Sequence, residues 1–283
     1  MDKKAFDRIF IIIFENQIQT NVLENPFMRN LGTKGVQMSN YFGVMHPSQP
    51  NYVASIAGLP FVKGDDCPTN IPHTNLVDLL EAKGVTWKAY MEDLPADSKA
   101  ICKSKNNLYF RKHNPFISFD NIRSNPARLA NVVNAKQLQT DVQDDALPEY
   151  CWYTPNIQND GHSPPISFQL FNRVRGVNFL AKFLQRFLEP LLSNPKFTKG
   201  TLIVVTFDES FPHADNHIYT VLLGDMVKAN TVQSERYDHY SLLRTVEENF
   251  NLGTLNRNDL TASWFGFLWG LPPETITWKD NTK

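Results

Sequence analysis

The sequence predicts a single α/β domain with a mainly parallel central sheet and helices on both faces. Two segments, "IFIIIF" at 9–14 and "TLIVVTF" at 201–207, are apolar at nearly every position, as is typical of strands buried on both faces of a parallel sheet. Between them, strand-like and helix-like patterns alternate. The 283 residues contain no repeat and no Pro/Gly-rich linker. We therefore expect one domain over 1–283.

Strands and helices alternate in the first half of the chain. After the strand at 9–14, "NPFMRNLGTKG" predicts a short helix ended by glycine, and "VQMSNYFGV" predicts a second strand. A helix is predicted from Pro50, because proline is favoured in a first helical turn. In "HTNLVDLLEAKG", Asn75 and Asp78 have capping-box spacing and Gly84 ends the helix. "VTWKAYM" predicts the next strand.

The second half continues the alternation after an irregular stretch. Residues 94–128 are rich in Pro, Asn, Lys and Ser, and we expect an ordered excursion over one face of the domain. Strands are predicted at 149–155, 201–207 and 218–223. An amphipathic helix, "FLAKFLQRFLEPLL", separates the first two of these strands. The segment "HYSLLRTVEENFNLG" predicts a last helix running to about Phe250.

The composition excludes several classes of protein. A formal net charge of −1 gives no general electrostatic reason to bind nucleic acid or an anionic membrane. The apolar run at 9–14 is too short to span a bilayer, and no small-residue cleavage site follows it. We therefore expect no signal peptide and no transmembrane segment. The compartment stays open between the cytoplasm and a mature secreted or periplasmic form.

Three cysteines are too few and too scattered for a zinc finger or a disulfide-built fold. Cys67 and Cys102 lie in polar, loop-like surroundings, so a bridge between them would leave Cys151 free. Three reduced thiols in a cytosolic protein are an equally good interpretation.

Acidic residues directly follow both strongly apolar strands. "IFIIIF" runs into Glu15 and Asn16, and "TLIVVTF" runs into Asp208 and Glu209. Ligands of open α/β sheets bind beyond the carboxyl ends of the strands, so these side chains are expected to meet at one edge. Carboxylates in a shared site repel one another unless a cation lies between them. Oxygen ligands of this kind suit a divalent metal, although acidic residues also commonly end strands at a surface.

The stretch "HPSQPNY" at 46–52 places a serine just before a predicted helix. Ser48 is either a cap for that helix or a nucleophile held at its N-terminus, where Asn51 would help to hold an anion. Backbone N–H groups and the positive end of the helix dipole favour a phosphate at such a position. The second interpretation accounts for the serine and the asparagine together.

Four histidine-containing clusters lie at predicted strand ends or helix starts. Asp and His side chains grouped in this way suit a site with nitrogen and oxygen ligands. We interpret His73, which has no acidic residue before it, as structural. The clusters are "KHNP" (Lys112, His113, Asn114), "NDGHS" (Asp160, His162), "DESFPHADNH" (Asp208, Glu209, His213, Asp215, His217) and "DHYS" (Asp238, His239).

Taken in order, these strings resemble a known family. "ENQ", "HPSQPNYVASIAG", "RKHNPF", "TPNIQNDGHS", "VTFDE" and "DHYSLLRTVEENFNLG" together are similar to the phosphoesterase family of acid phosphatases and metal-dependent bacterial phospholipases C, within the alkaline phosphatase superfamily. The resemblance covers about residues 7–253. It implies an alkaline-phosphatase-like fold and a phosphoric ester hydrolase.

The resemblance also assigns roles to residues. It makes Ser48 the nucleophile that takes the phosphoryl group, and Asn51 a phosphate contact. It implies that Asp160, His162 and His239 are catalytic, with His162 protonating the leaving alkoxide. It implies substrate binding by Lys112, His113 and His217. The metal ligands that it implies are Glu15, Asn16, Asp208, Glu209 and Ser48.

The chain departs from the two-zinc members of the superfamily. Asp208 is followed by Glu209 where those members have histidine, and Asp160 and His162 flank a single glycine. One divalent metal is therefore expected and a second is left open, with zinc, calcium and magnesium not distinguished.

Three functions stay open at this point. The first is an acid phosphatase acting on small phosphomonoesters, which the lack of a long hydrophobic lid or lipid-binding module slightly favours. The second is a phospholipase C acting on a lipid phosphodiester headgroup. The third is a non-catalytic metal- or phosphate-binding protein of the same fold.

Overall fold

The computed structural model of the chain describes residues 4–162, 173–211 and 215–271. Within these ranges the strands are β1 (Arg8–Phe14), β2 (Val36–Met38), β3 (Tyr41–Phe42), β4 (Trp87–Met91), β5 (Val132–Asn134), β6 (Tyr150–Thr154), β7 (Thr201–Phe207), β8 (Thr220–Leu223), β9 (Thr231–Gln233) and β10 (Tyr237–Asp238). The helices are α1 (Gln19–Glu24), α2 (Pro26–Thr33), α3 (Ser48–Ala57), α4 (Leu76–Ala82), α5 (Pro115–Ser118), α6 (Asp120–Arg123), α7 (Pro126–Leu129), α8 (Gln137–Gln143), α9 (Arg173–Leu192), α10 (Pro195–Thr198) and α11 (His239–Phe250). Short 3-10 helices lie at Arg111–His113, Asn258–Thr261 and Gly266–Trp269.

A mainly parallel sheet forms the centre of the molecule, which confirms the predicted fold class. Eight strands follow the order β5-β4-β6-β1-β7-β8-β2-β9. Only β8 runs antiparallel to its neighbours among the described strands of this sheet. Strands β3 and β10 form a separate parallel pair.

Helices cover both faces of the sheet. Successive side chains of a strand point to opposite faces. In β6, the Trp152 ring lies 5.7 Å from Phe116 of α5, whereas the Tyr153 ring lies 4.5 Å from Phe187 of α9. Helices α5 and α9 therefore pack on opposite faces, and β6 is buried at every position.

The register of the two central strands determines what meets at their carboxyl ends. Strands β1 and β7 are parallel, and Phe14 pairs with Phe207. Because both strands end at that pair, the residues that follow them leave the sheet side by side. The two acidic dipeptides predicted to converge therefore start from adjacent points.

The structure corrects two predicted boundaries. The predicted second strand "VQMSNYFGV" is two strands, because Ser39 and Asn40 bond to the carbonyls of Gln233 and Ser234 and turn the chain out of the main sheet. Helix α3 begins at Ser48 rather than at Pro50. Pro50 is the third residue of the helix, where an N–H would have no helical partner in any case.

The irregular segment at 94–128 contains short helices, and two of the predicted strands are slightly shorter than expected. Residues 94–128 contain the 3-10 helix Arg111–His113 and the four-residue helices α5 and α6, which are too short to show a hydrophobic period. Strands predicted at 149–155 and 218–223 are slightly shorter, at β6 and β8. The predicted capping box of α4 is present.

Cys67 and Cys102 form a disulfide, and Cys151 is a buried free thiol in β6. The Cys151 Sγ atom lies 3.2 Å from the carbonyl oxygen of Pro148 and donates to it. In the part of the chain that the structure describes, none of the helices has the length and apolar character needed to cross a membrane.

Candidate active site

Loops at the carboxyl end of the sheet are joined through their backbones. Glu15 N donates to Asp160 O at 2.9 Å, Asp208 N to Phe14 O at 2.8 Å, and Gln17 N to Glu209 O at 3.3 Å. These bonds hold the segments after β1, β6 and β7 together. The polar residues predicted at separate strand ends therefore meet, because one sheet edge presents them all.

Ser48 lies at the centre of this cluster. It is the first residue of α3 and is 3% exposed. Its Oγ atom lies 3.0 Å from Glu15 Oε2, 3.1 Å from Asn16 Oδ1 and 3.1 Å from Glu209 Oε1. A hydroxyl has one proton to donate, so it can satisfy one of these three acceptors at a time. Three oxygens around one hydroxyl are more acceptors than it can serve.

Ser48 does not cap its own helix. The N-cap residue of α3 is Pro47, and no side chain of the cap bonds to the first turn. The side chain of Ser48 is instead directed to the strand-end oxygens. The capping role weighed for the stretch "HPSQPNY" is therefore not seen here.

Glu15 is the charged member of the carboxylate cluster. Its two oxygens face two imidazoles: Oε1 lies 3.1 Å from His113 Nε2, and Oε2 lies 3.6 Å from His162 Nδ1. Burial by itself would raise the pKa of Glu15, but His113, His162 and Lys112 outweigh it and hold the pKa below its ordinary value. Glu15 thus stays ionised beside Ser48.

The other two carboxyls have the opposite tendency. Burial, and then the charges of Glu15 and Glu209, raise the pKa of Asp208 well above its ordinary value. Burial also raises the pKa of Glu209, although His46 Nδ1 contacts Glu209 Oε2 and Asn16 Nδ2 donates to Glu209 Oε1 at 2.7 Å. Three buried carboxyls in one site repel one another when all are ionised.

The donor set fits a hard divalent cation. Carboxylate, amide and hydroxyl oxygens are the ligands that such ions prefer. Asp208 Oδ2 is also buried without a hydrogen-bond partner among the described residues. Within those residues no group of three or more His, Cys, Asp or Glu side chains is arranged to hold a metal ion. The set around Ser48 is of another kind, because Asn16 and Ser48 itself supply two of its oxygens.

Asn51 is fully occupied away from Ser48. Its Oδ1 accepts from Val44 N at 2.8 Å and Met45 N at 3.2 Å, and its Nδ2 donates to Met45 O at 2.7 Å and Pro47 O at 3.1 Å. An amide has two N–H donors, and both are used here. This arrangement differs from the predicted phosphate contact, since the amide holds the turn before α3 instead.

Lys112 and His113 approach the cluster from the 3-10 helix Arg111–His113. The Lys112 ammonium lies 2.6 Å from Asp65 Oδ2. Burial opposes its charged form, but Glu15 and Asp65 outweigh burial and raise the pKa of Lys112. His113 is buried and stacks on Tyr52 at 5.4 Å between ring centres. Burial lowers the pKa of His113 to about 4.

Asp160 and His162 lie on the opposite side of Glu15. Asp160 Oδ1 accepts from His162 N at 2.9 Å, and Gly161 between them has a φ of 95°, a left-handed conformation that favours glycine. The Asp160 residue is 1% exposed, whereas the His162 side chain is 44% exposed. Of the two histidines that face Glu15, His162 is therefore the one that a substrate can reach from solvent, since the His113 side chain is 6% exposed.

The other predicted histidines contact backbone or aromatic groups. His217 Nε2 lies 2.8 Å from Ser39 O, and its ring stacks on Phe42. His239 is buried, and its Nε2 lies 2.6 Å from the carbonyl oxygen of Asp208. Burial lowers the pKa of His239 to about 4. The neutral imidazole can therefore donate from Nε2 to the backbone carbonyl of Asp208 and hold it in place. His213 lies outside the described residues.

The structure adds two residues that were not predicted for the site. His46 contacts Glu209, and buried Gln17 donates to Gly161 O at 2.7 Å through its Nε2 atom. Both flank predicted site residues, His46 in "HPSQPNY" and Gln17 in "ENQ". Their positions next to predicted site residues in the sequence could have identified them as further candidates.

The fold is similar to those of solved structures, among them one described as a member of the alkaline phosphatase superfamily. A protein of this superfamily from Vibrio parahaemolyticus has a TM-score of 0.62 at 12% identity, covering 91% of this chain and 70% of that one. The phosphonate monoester hydrolase of Agrobacterium radiobacter also has a TM-score of 0.62, at 13% identity, covering 97% of this chain and 79% of that one.

The chain belongs to the Phosphoesterase family, whose model matches residues 19–253. It is 38% identical to a probable acid phosphatase of Kluyveromyces lactis over 92% of this chain and 62% of that protein. It is 30% identical to a phosphatidylinositol-3-phosphatase of Mycobacterium tuberculosis over 98% of this chain and 84% of that protein. The chain thus spans less than two thirds of the length of the yeast relative.

Proposed function

We propose that this chain is a metal-dependent hydrolase of phosphomonoesters that acts through a phosphoserine at Ser48. The observation that carries the proposal is the set of three oxygens, from Glu15, Asn16 and Glu209, within 3.1 Å of the Ser48 hydroxyl. A serine needs activation to become a nucleophile, and this environment can supply it. The names of the family relatives, most of them acid phosphatases, support the same chemistry.

A divalent cation would be held by Glu15, Asn16, Asp208, Glu209 and Ser48. When bound, it would neutralise the carboxylates and stabilise charge on the serine and phosphate oxygens. Burial, and then the charges of Glu15 and Glu209, raise the pKa of Asp208, and a bound cation would favour its ionised form. Elemental analysis of the purified protein, together with loss of activity in a chelator and its return on adding Mg²⁺, Ca²⁺ or Zn²⁺ separately, tests this part.

The side chains support a two-step reaction. Ser48 Oγ attacks phosphorus as the bond to the leaving oxygen breaks, and its proton passes to Glu209 Oε1, which lies 3.1 Å away and belongs to a carboxyl whose pKa is raised by burial. His162, the exposed imidazole, donates a proton to that oxygen. Water then attacks the phosphoserine and gives a proton to His162. The proton held by Glu209 returns to Ser48 Oγ as the serine–phosphate bond breaks and inorganic phosphate is released. The N-terminus of α3, where Ser48 lies, favours the phosphate charge throughout, because the positive end of the helix dipole is at that end.

A lipid headgroup is the second candidate substrate. The relative from Mycobacterium tuberculosis, covered over 84% of its length, is called a phosphatidylinositol-3-phosphatase. A phospholipase C would instead cleave a phosphodiester. Rates on p-nitrophenyl phosphate, on p-nitrophenylphosphorylcholine and on a phosphoinositide in detergent separate these three. A non-catalytic protein would hydrolyse none of them.

Ser48→Ala tests the nucleophile directly. We expect kcat to fall by several orders of magnitude, because covalent catalysis is lost. Mass spectrometry of acid-quenched wild-type enzyme should detect phosphate on Ser48. Ser55→Ala is the matched control, since Ser55 is a buried serine of the same helix that bonds only to helix backbone in the contacts described. Near-normal turnover by Ser48→Ala would refute the proposal.

A further inference from the structure

The nucleophile helix donates a hydrogen bond to a carboxylate that is distant in the sequence. Gln49 N, in the first turn of α3, donates to Asp65 Oδ1 at 2.9 Å. The N-cap residue Pro47 provides no side-chain bond, and Pro50 has no N–H to satisfy. Asp65, sixteen residues away in the sequence, thus accepts a first-turn hydrogen bond that the side chain of an N-cap residue usually accepts.

The second oxygen of Asp65 holds a cation. Asp65 Oδ2 accepts from Lys112 Nζ at 2.6 Å, and these side chains are 30% and 25% exposed. One carboxylate therefore joins the N-terminus of the nucleophile helix to the ammonium beside it. Both are groups that attract a phosphate.

Several further contacts fix the Asp65 loop against the turn that carries Lys112. The disulfide Cys67–Cys102 joins the two segments, and Arg111 N donates to Cys102 O at 2.9 Å. Arg111, 2% exposed, also donates through Nη2 to Thr69 O at 2.7 Å and to Asn70 Oδ1 at 2.9 Å. A covalent link and a buried guanidinium thus hold Asp65 and Lys112 in one geometry.

We propose that Asp65 is a positioning residue that holds the Lys112 ammonium at the N-terminus of α3 to receive the phosphate dianion of a monoester. This inference rests on the proposed function. A lysine is a flexible point charge, and the negative charge of Glu15 acts on Lys112 as well as that of Asp65. Without Asp65, the Lys112 ammonium would no longer be held in one position, and its contact with the phosphate would weaken.

Asp65→Asn separates the two bonds of this carboxylate. The amide oxygen of asparagine can still accept from Gln49 N, but its NH₂ group cannot accept from Lys112. We expect roughly a tenfold rise in KM for p-nitrophenyl phosphate and in Kd for inorganic phosphate, the size of one charge-assisted contact. We expect kcat to change much less. Phosphate binding is measured by calorimetry, which needs no turnover.

A double-mutant cycle with Lys112→Met tests whether Asp65 acts through Lys112. If it does, Asp65→Asn adds no further rise in KM or phosphate Kd on the Lys112→Met background. Asp66→Asn, a change to the next carboxylate in the same exposed loop, is the control and should leave both constants unchanged. Effects that multiply in the double variant would overturn the proposal. So would a fall in Tm with unchanged phosphate Kd, which is the signature of a helix cap alone.

The outcomes separate this inference from the proposed function. If wild-type protein binds phosphate through Asp65 and Lys112 but hydrolyses no ester, the proposed function fails and the positioning role stands. If Ser48→Ala is inactive while the cycle is additive, the positioning role fails and the proposed function stands.

Discussion

At the scale of single residues, Asn51 holds the turn that presents Ser48. Its amide bonds with the backbone at Val44, Met45 and Pro47, and the residue is 0% exposed. The four bonds join the segment after β3 to the first turn of α3. Because Ser48 lies between the bonded residues, its position depends on them.

Asn51→Ala is expected to lose stability and activity together. Two backbone N–H groups and two carbonyls lose a buried partner, which costs about 2–4 kcal/mol of unfolding free energy in denaturant titrations. The turnover rate should fall as well, because Ser48 shifts from its neighbouring oxygens. Asn75→Ala is the control: Asn75 is equally buried and caps α4, so its loss should lower stability and spare kcat. Unchanged stability with lost activity would indicate a direct phosphate contact instead.

The sequence indicated the residues of the site better than their orientations. Glu15, Asn16, Asp208 and Glu209 were predictable because they follow buried parallel strands, and strand order brings such positions to one edge. The partners of Asn51 and His217 were not, because the direction of a side chain in a loop depends on contacts that no local pattern encodes. Asp65 was missed for the same reason, since its two partners lie 16 and 47 residues away.

At the scale of elements, helix α11 packs a carboxyl against a 3-10 helix. Glu247 of α11 is 1% exposed. It lies near Asp259 of the 3-10 helix Asn258–Thr261, which is 0% exposed. Burial, and then the charge of Asp259, raise the pKa of Glu247 to about 9 from its ordinary 4.5. The folded protein therefore binds one more proton than the unfolded chain between these two values.

This proton makes the stability of the protein fall as pH rises. The stabilisation is fully present below pH 4.5 and is lost as pH rises through about 9, with a slope of up to about 1.4 kcal/mol per pH unit. Glu247→Gln should flatten this part of the profile and raise Tm at pH 8, because glutamine resembles the protonated carboxyl. Glu248→Gln, beside it on α11 and paired with Arg244, is the control. A profile that Glu247→Gln leaves unchanged would contradict the assignment.

Elements with strong local signals were predicted well. The capping box of α4 and the apolar β1 and β7 needed only neighbouring residues to be recognised. The break between β2 and β3 was missed, because it depends on hydrogen bonds from Ser39 to the last residue of β9 and from Asn40 to the residue after it.

At the scale of the whole molecule, the fold class followed from the pattern of apolar strands. The antiparallel direction of β8 did not, since its sequence is as apolar as that of the buried parallel strands and a pattern of apolar residues does not encode strand direction. The disulfide Cys67–Cys102 was one of two equal alternatives, because spacing alone does not determine pairing.

The free thiol of β6 lies between strands on both sides. Strand β6 pairs with β1 and β4, and Cys151 is 0% exposed. Burial raises the pKa of its thiol, so almost no thiolate exists at neutral pH. With Cys67 and Cys102 bonded to each other, Cys151 is the remaining thiol of the three cysteines in the sequence.

The rate at which a thiol reagent labels Cys151 can therefore report how fast the sheet opens at β6. An aromatic disulfide reagent should leave the native protein unlabelled for hours and label one thiol per chain in denaturant. At intermediate denaturant, the labelling rate should follow loss of the circular dichroism signal, because β6 must leave both neighbours before the sulfur meets solvent. Rapid labelling in native buffer would show that β6 separates from the sheet while the rest of the protein stays folded. The labelling rate of this one thiol would then measure the opening of β6 in the unmodified sequence.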